Sequence, residues 1–377
     1  MMKYKDVPAY KPRAKWNEMR DETMKAPFSG AIDCDIHPSA PDMPALLPYM
    51  SEYWRDQITN RFIDKTPFTF TSYKPQVPIN GRPDWRPQSG RPGSSLDMIR
   101  SQALDAFGSR LAICNVIHGA LGLFNNDMAA TIVSALNDWV AAALLDAEPR
   151  LRGSILVLAD DPTHAVAEIE RLADDKRFVQ VLLLVMGERP LGQRACWPIY
   201  HAAEKNGLTV CIHAGSTHRQ APTGGGWPSY FVDEYVAQSA AFEAVLLSLI
   251  AEGVFKKFPD LKVVLAESGV TWMPQFLWRN DKVWRGVRPE VPWIDRVPRE
   301  IVRDHVRLTL QPFDAPGDAA TVARVIEHLG TDDILLFSTD YPHWHFDGTD
   351  VLPEGLSEST VRKLMIDNPL ATYARLS

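Results

Sequence analysis

Short aliphatic and β-branched runs alternate with longer stretches of helical periodicity along most of this chain. The runs are GAIDCDIH (30–37), LAICNVI (111–117), RGSILV (152–157), FVQVLLLV (178–185), LTVCIHAG (208–215), LKVVLAES (261–268), HVRLTLQP (305–312) and ILLFSTDYPH (334–343). Near-continuous apolar runs of this length suit strands covered on both faces, as in a parallel sheet. The segments between them predict helices over 96–109, 127–147, 162–175, 195–206, 230–257, 271–284, 317–329 and 357–374. Some helix starts carry caps, with Asn125 and Asn126 before Asp127 and Ser357 before Thr360.

Eight alternating units, with no GxGxxG after an early strand, predict a closed (β/α)8 TIM barrel rather than an open doubly wound sheet. Residues 1–28 combine Pro8, Pro12 and Pro27 with many charges and predict an extended N-terminal arm, which leaves 29–377 as one domain. The stretch from about 60 to 95 is rich in Pro, Gly and aromatics and too long for an ordinary connection. It follows the first strand, and a second insertion at 215–230 follows the fifth, so both are expected to cover the catalytic end.

Composition narrows the partners. The 377 residues are 45% hydrophobic and 23% charged, which supplies a large globular core. A formal net charge of −7 argues against a nucleic-acid binder or a polybasic membrane binder, and points to small molecules or other proteins. The N-terminal residues lack the apolar run of a secretory signal, and the apolar windows elsewhere give no expectation of a membrane span, so a cytoplasmic location is expected. Cys34, Cys114, Cys196 and Cys211 form no CxxC and read as reduced, buried thiols.

The chemistry of such a barrel gathers at the C-terminal ends of its strands. The first run ends in Asp35-Ile36-His37, whose carboxylate and imidazole are two apart on a strand and form a chelate. The fifth ends in His213, the sixth in Glu267 and the eighth in Asp340. Imidazoles mixed with carboxylates suit one divalent transition ion, zinc first, with manganese or iron as alternatives. His118 and His343, with Trp227 and Trp344, stand where they can line a substrate pocket, and an aromatic lining suits an aromatic small molecule. Trp272, Trp278 and Trp284 recur at near-helical spacing and read as packing; with the arm they supply surface for a homodimer.

In order, DCDIHP, CIHAG, FKKFPDLKVVLAESGVTWMP and LLFSTDYPH resemble the amidohydrolase superfamily, in particular the amidohydrolase-related branch that contains aminocarboxymuconate-semialdehyde decarboxylase. The resemblance runs from Ala31 to Ala374. It implies metal ligands at Asp35, His37, His213 and Asp340, with Asp340 also shuttling a proton. Many members have His-Gly-Gly at the end of the sixth strand, where this chain has Glu267-Ser268-Gly269. Glu267 is then an extra ligand, a base for an activated water or a group that orients the substrate. The fourth strand has no Lys in the pattern of a carbamylated bridge, so one ion rather than two is expected.

The first expectation for activity is a metal-dependent hydrolase that directs water at a carbonyl-type substrate: an amide, ester, thioester, lactone or the carbon-carbon bond of a ring-cleavage product. The alternative is non-oxidative decarboxylation of an aromatic or unsaturated carboxylic acid, to which loss of the sixth-strand His is unfavourable. A non-catalytic binding barrel is the third.

Overall fold

A computed structural model describes residues 30–63, 85–221, 223–316, 318–343 and 352–376, the Phe231 side chain excepted. The arm expected at 1–28, much of the 60–95 insertion and Trp344 lie outside the described residues.

Eight strands run β1 (Ala31–Ile36), β2 (Ser109–Cys114), β3 (Leu151–Leu156), β4 (Phe178–Met186), β5 (Thr209–Ser216), β6 (Val263–Ala266), β7 (Val306–Thr309) and β8 (Leu335–Leu336). They form one sheet in sequence order, each parallel to the next. The barrel closes where residues beyond β8 meet β1: the Cys34 N–H donates to the Phe337 carbonyl at 2.9 Å and the Asp340 N–H to the Asp35 carbonyl at 3.0 Å. All nine residues of β4 are buried, as its apolar run, interrupted only by Gln180, requires. A cluster of Ile32, Ile113, Val179, Val264 and Leu336 joins five of the strands to the C-terminal Tyr373 and Leu376. The four cysteines are free and buried, as expected.

Helices follow the strands, opened by the caps legible in the sequence. Asn125 accepts the Met128 N–H to start Asn126–Trp139, and Ser357 accepts the Thr360 N–H to start Glu358–Arg362. The single helix expected over 230–257 is instead Phe231–Ala251 followed by a separate turn, Val254–Lys257. Gly253 breaks it with a backbone φ of 79°, a left-handed conformation that continues no helix. By length and composition alone, Asn126–Leu145 and Val232–Ala251 are apolar enough to cross a membrane, although the first carries Asp127 and Asp138 and the second Asp233, Glu234 and Glu243, so neither is the uncharged apolar window whose absence was expected. Both pack on the barrel as its outer helices, the first mostly buried and the second about one third buried.

The described part of the insertion after β1 lies against the C-terminal end of the barrel. The Ser39 N–H donates to the Gly93 carbonyl at 3.0 Å, and Trp85 packs on Tyr341 with ring centroids 4.9 Å apart. These described residues therefore sit beside the strand ends where the candidate chemistry lies.

Candidate metal centre

Six ionisable side chains from four strand ends meet in one buried group. Asp35 is the penultimate residue of β1 and His37 the first beyond it; His213 lies in β5; Glu267 is the first residue after β6; Asp340 and His343 stand in the turn beyond β8. His37 Nε2 lies 3.0 Å from Asp35 Oδ1 and 3.2 Å from Asp340 Oδ1. His213 Nε2 lies 3.1 Å from His37 Nε2, 3.3 Å from Asp35 Oδ2 and 3.6 Å from Glu267 Oε2. His343 Nδ1 is 2.8 Å from Asp340 Oδ1, and its ring stacks on His37 with centroids 4.4 Å apart.

Local backbone turns two of the carboxylates into this group. Glu267 and Asp340 have φ of 59° and 54°, left-handed values that cost a non-glycine residue of order 1 kcal/mol or more. The Glu267 N–H is held by Thr309 Oγ1 at 2.8 Å, and its Oε1 accepts from the Tyr235 hydroxyl at 2.8 Å. Beside Asp340, Thr339 donates its N–H and its hydroxyl to Asp33 at 3.0 and 2.6 Å, pinning the turn to β1.

The electrostatics are those of charges withheld from water. Burial works against charge on His37, yet Asp35 and Asp340 outweigh it and hold the imidazole well above its ordinary pKa. His213 is raised likewise, burial being overcome mainly by Asp35. Burial would raise Asp35, but His37 and His213 hold it well below the usual carboxylate range.

The donor set fits a cation. Each Nδ1 is committed to a carbonyl, His37 to Asn115 at 2.9 Å and His213 to Ala214 at 2.7 Å. A carbonyl only accepts, so both Nδ1 atoms carry hydrogen, and once neutral both rings turn an Nε2 lone pair toward the same point. Two such lone pairs beside carboxylates repel unless a cation or extra protons lie between them. Two overlapping ligand sets result: Asp35, His37 and His213, and His37, Glu267, Asp340 and His343, with the ligand atoms of each set within 4.8 Å of one another. His37 belongs to both, which suits one ion.

Not every residue singled out in the sequence joins the group. His343, expected in the pocket lining, is in the donor set itself. His118 is buried and spends Nδ1 on the Ala120 N–H at 3.0 Å, capping the turn Gly119–Gly122. Trp227 is 58% exposed, and so is not part of the buried group. The sequence reading missed Tyr235, whose helix brings it to Glu267, and Asn115, whose amide donates to Asp35 Oδ1 at 2.8 Å. Asn115 follows β2 at the level where ligands stand on other strands, and that position was the available signal.

The model of the amidohydrolase family matches residues 32–375. Among curated proteins, the chain is 25% identical over 226 residues to a gamma-resorcylate decarboxylase of Polaromonas sp. (strain JS666 / ATCC BAA-500), covering 56% of this chain and 66% of that one. It is 25% identical over 276 residues to a gamma-resorcylate decarboxylase of Rhodococcus jostii (strain RHA1), covering 67% and 82%. Among solved structures, a dihydroxybenzoic acid decarboxylase of Polaromonas sp. JS666, with bound manganese and the inhibitor 2-nitroresorcinol, shares the fold with a TM-score of 0.63 at 19% identity, over 93% of this chain and 98% of that one. With the family model spanning nearly the whole barrel, the chain belongs to the amidohydrolase family.

Proposed function

We propose that this chain is a metal-dependent, non-oxidative decarboxylase of an aromatic carboxylic acid that bears a hydroxyl beside the carboxylate. The observation that carries the reading is the shared-lone-pair geometry of His37 and His213 amid Asp35, Asp340 and Glu267, in a chain whose named relatives are decarboxylases of a dihydroxybenzoate. This reverses the order of the two activities expected from the sequence, where hydrolysis came first.

Asp35, His37, His213 and Asp340 would hold the ion, manganese by analogy with the relative that binds it, or zinc or iron on the donor set. When bound, a divalent ion would supply positive charge that favours an anionic substrate at this point. Asp340, oriented by His343, delivers a proton to the ring carbon that bears the carboxylate. The carbon-carbon bond then breaks, its electron pair restores the aromatic ring, and carbon dioxide departs. Asp340 is left as a carboxylate and regains its proton from water. Glu267, tied to the Tyr235 hydroxyl, lies beside the reacting centre and disfavours a second negative charge near it. The apolar side chains Val232, Val236 and Leu247, all exposed on one helix, support a homodimer as the working assembly.

Glu267 also favours hydrolysis as a second reading, since a carboxylate 3.6 Å from His213 Nε2 is placed to orient a water. Purified chain loaded with manganese, given a panel of 2-hydroxy- and 2,6-dihydroxybenzoates, is expected to release carbon dioxide and the corresponding phenol. Absence of carbon dioxide across the panel, with turnover of esters or lactones, would reject decarboxylation in favour of hydrolysis.

A further inference from the structure

We propose that Asn115 is the positioning residue that sets two metal ligands at once, and that the polar chain behind it, Ser154 and Gln180, exists to fix its amide. This rests on the metal reading above. The Asn115 carbonyl accepts from His37 Nδ1 at 2.9 Å, while its side-chain NH2 donates to Asp35 Oδ1 at 2.8 Å. Its own N–H donates to the Ile36 carbonyl at 2.8 Å, so the backbone between the two ligands and the residue that orients them move as one unit.

The amide has one permitted orientation. Asn115 Oδ1 accepts from the Ser154 hydroxyl at 2.6 Å and from Gln180 Nε2 at 2.9 Å, and Gln180 Nε2 also donates to Ser154 Oγ at 2.9 Å. With both donors on the oxygen, only the NH2 is left to face Asp35. The hydrogen bonds therefore run in one direction across four consecutive strands, from Gln180 in β4 through Ser154 in β3 and Asn115 beyond β2 to Asp35 in β1. All four side chains are buried. A barrel interior gains nothing in stability from such a chain over close-packed apolar side chains. What it provides is direction: Asp35 Oδ1 is engaged, and Oδ2 is turned toward His213 at 3.3 Å, where the ion would lie.

The test uses the full chain and its Asn115→Leu and Ser154→Ala variants. Manganese affinity is measured by competition with a chelating dye, the visible spectrum is recorded with cobalt(II) in place of manganese, and melting of the metal-free forms is followed in parallel. Asn115→Leu is expected to weaken manganese binding by about 10- to 100-fold and to shift the cobalt spectrum. Ser154→Ala, which touches neither ligand, is expected to weaken it less, in the same direction, with a metal-free melting temperature near that of the parent. Should Asn115→Leu fail to fold, Ser154→Ala and Gln180→Leu carry the test. Variants with unchanged affinity and spectrum in a parent that binds the ion would overturn the role of Asn115 alone, whatever their melting temperatures. A parent that binds neither ion would overturn it together with the metal reading.

Discussion

His37 and His213 turn their Nε2 atoms toward each other at 3.1 Å and their Nδ1 atoms away, into the carbonyls of Asn115 and Ala214. Without a cation the pairing is held by extra protons, and with one it would be a chelate. The metal-free protein is therefore expected to melt well below the loaded form, since free ion at 100 times its dissociation constant adds about 2.7 kcal/mol. His213→Gln removes one of the two lone pairs. It should abolish most of the manganese-dependent rise in melting temperature, and a rise equal to that of the parent would contradict the arrangement.

On the proposed reading Asp340 both holds the ion and moves a proton. Asp340→Asn keeps a carbonyl oxygen for the ion but cannot deliver the proton. Turnover should fall by about 10²- to 10⁴-fold, while a manganese-dependent thermal shift remains in part. Activity within twofold of the parent would remove the proton-transfer role.

Glu267 separates the two chemical readings in one variant. Glu267→Gln removes a negative charge near the site of the substrate carboxylate and still accepts from the Tyr235 hydroxyl. For decarboxylation KM for the acid should fall by at least about fivefold, which is the effect of about 1 kcal/mol of charge repulsion. For hydrolysis kcat should fall instead. Steady-state kinetics on both substrate classes decide between them.

His118 gives the fold a pH dependence of definite sign. Burial, with a contribution from the Arg91 charge, pushes its pKa down to about 4 from 6.5. The unfolded chain thus binds a proton between pH 6.5 and 4 that the folded chain refuses, so stability is full above pH 6.5 and is lost as pH falls through that window. The loss is at most about 3 to 4 kcal/mol. In His118→Asn, whose side-chain oxygen can take the Ala120 N–H, chemical denaturation at pH 7 and 4.5 should show a smaller difference than in the parent. An identical difference would assign the acid sensitivity to other groups.

Much of this was legible in the chain because the barrel repeats one local rule eight times. Apolar runs marked the strands, and the last polar residues of four runs, Asp35, His37, His213, Glu267 and Asp340, are the ones that meet. The eighth run misled in part. Its ladder strand is only Leu335–Leu336, and the residues beyond close the barrel through hydrogen bonds to β1 before Asp340 turns left-handed. Tyr235 was invisible because its contact with Glu267 spans 32 residues and depends on how a helix packs, which periodicity does not encode. Asn115 offered only its position after β2 as a signal, as its meaning comes from Ser154 and Gln180 on neighbouring strands. The sequence placed hydrolysis first because it weighed the change from His to Glu at position 267, whereas the named relatives favour the alternative.

Elemental analysis of the chain purified without added metal, by inductively coupled plasma mass spectrometry, addresses the buried donor group most directly. About one equivalent of manganese, zinc or iron per chain is expected, lost on His37→Ala. Less than about a tenth of an equivalent, even after reconstitution with each ion, would contradict a metal centre built on His37 and His213.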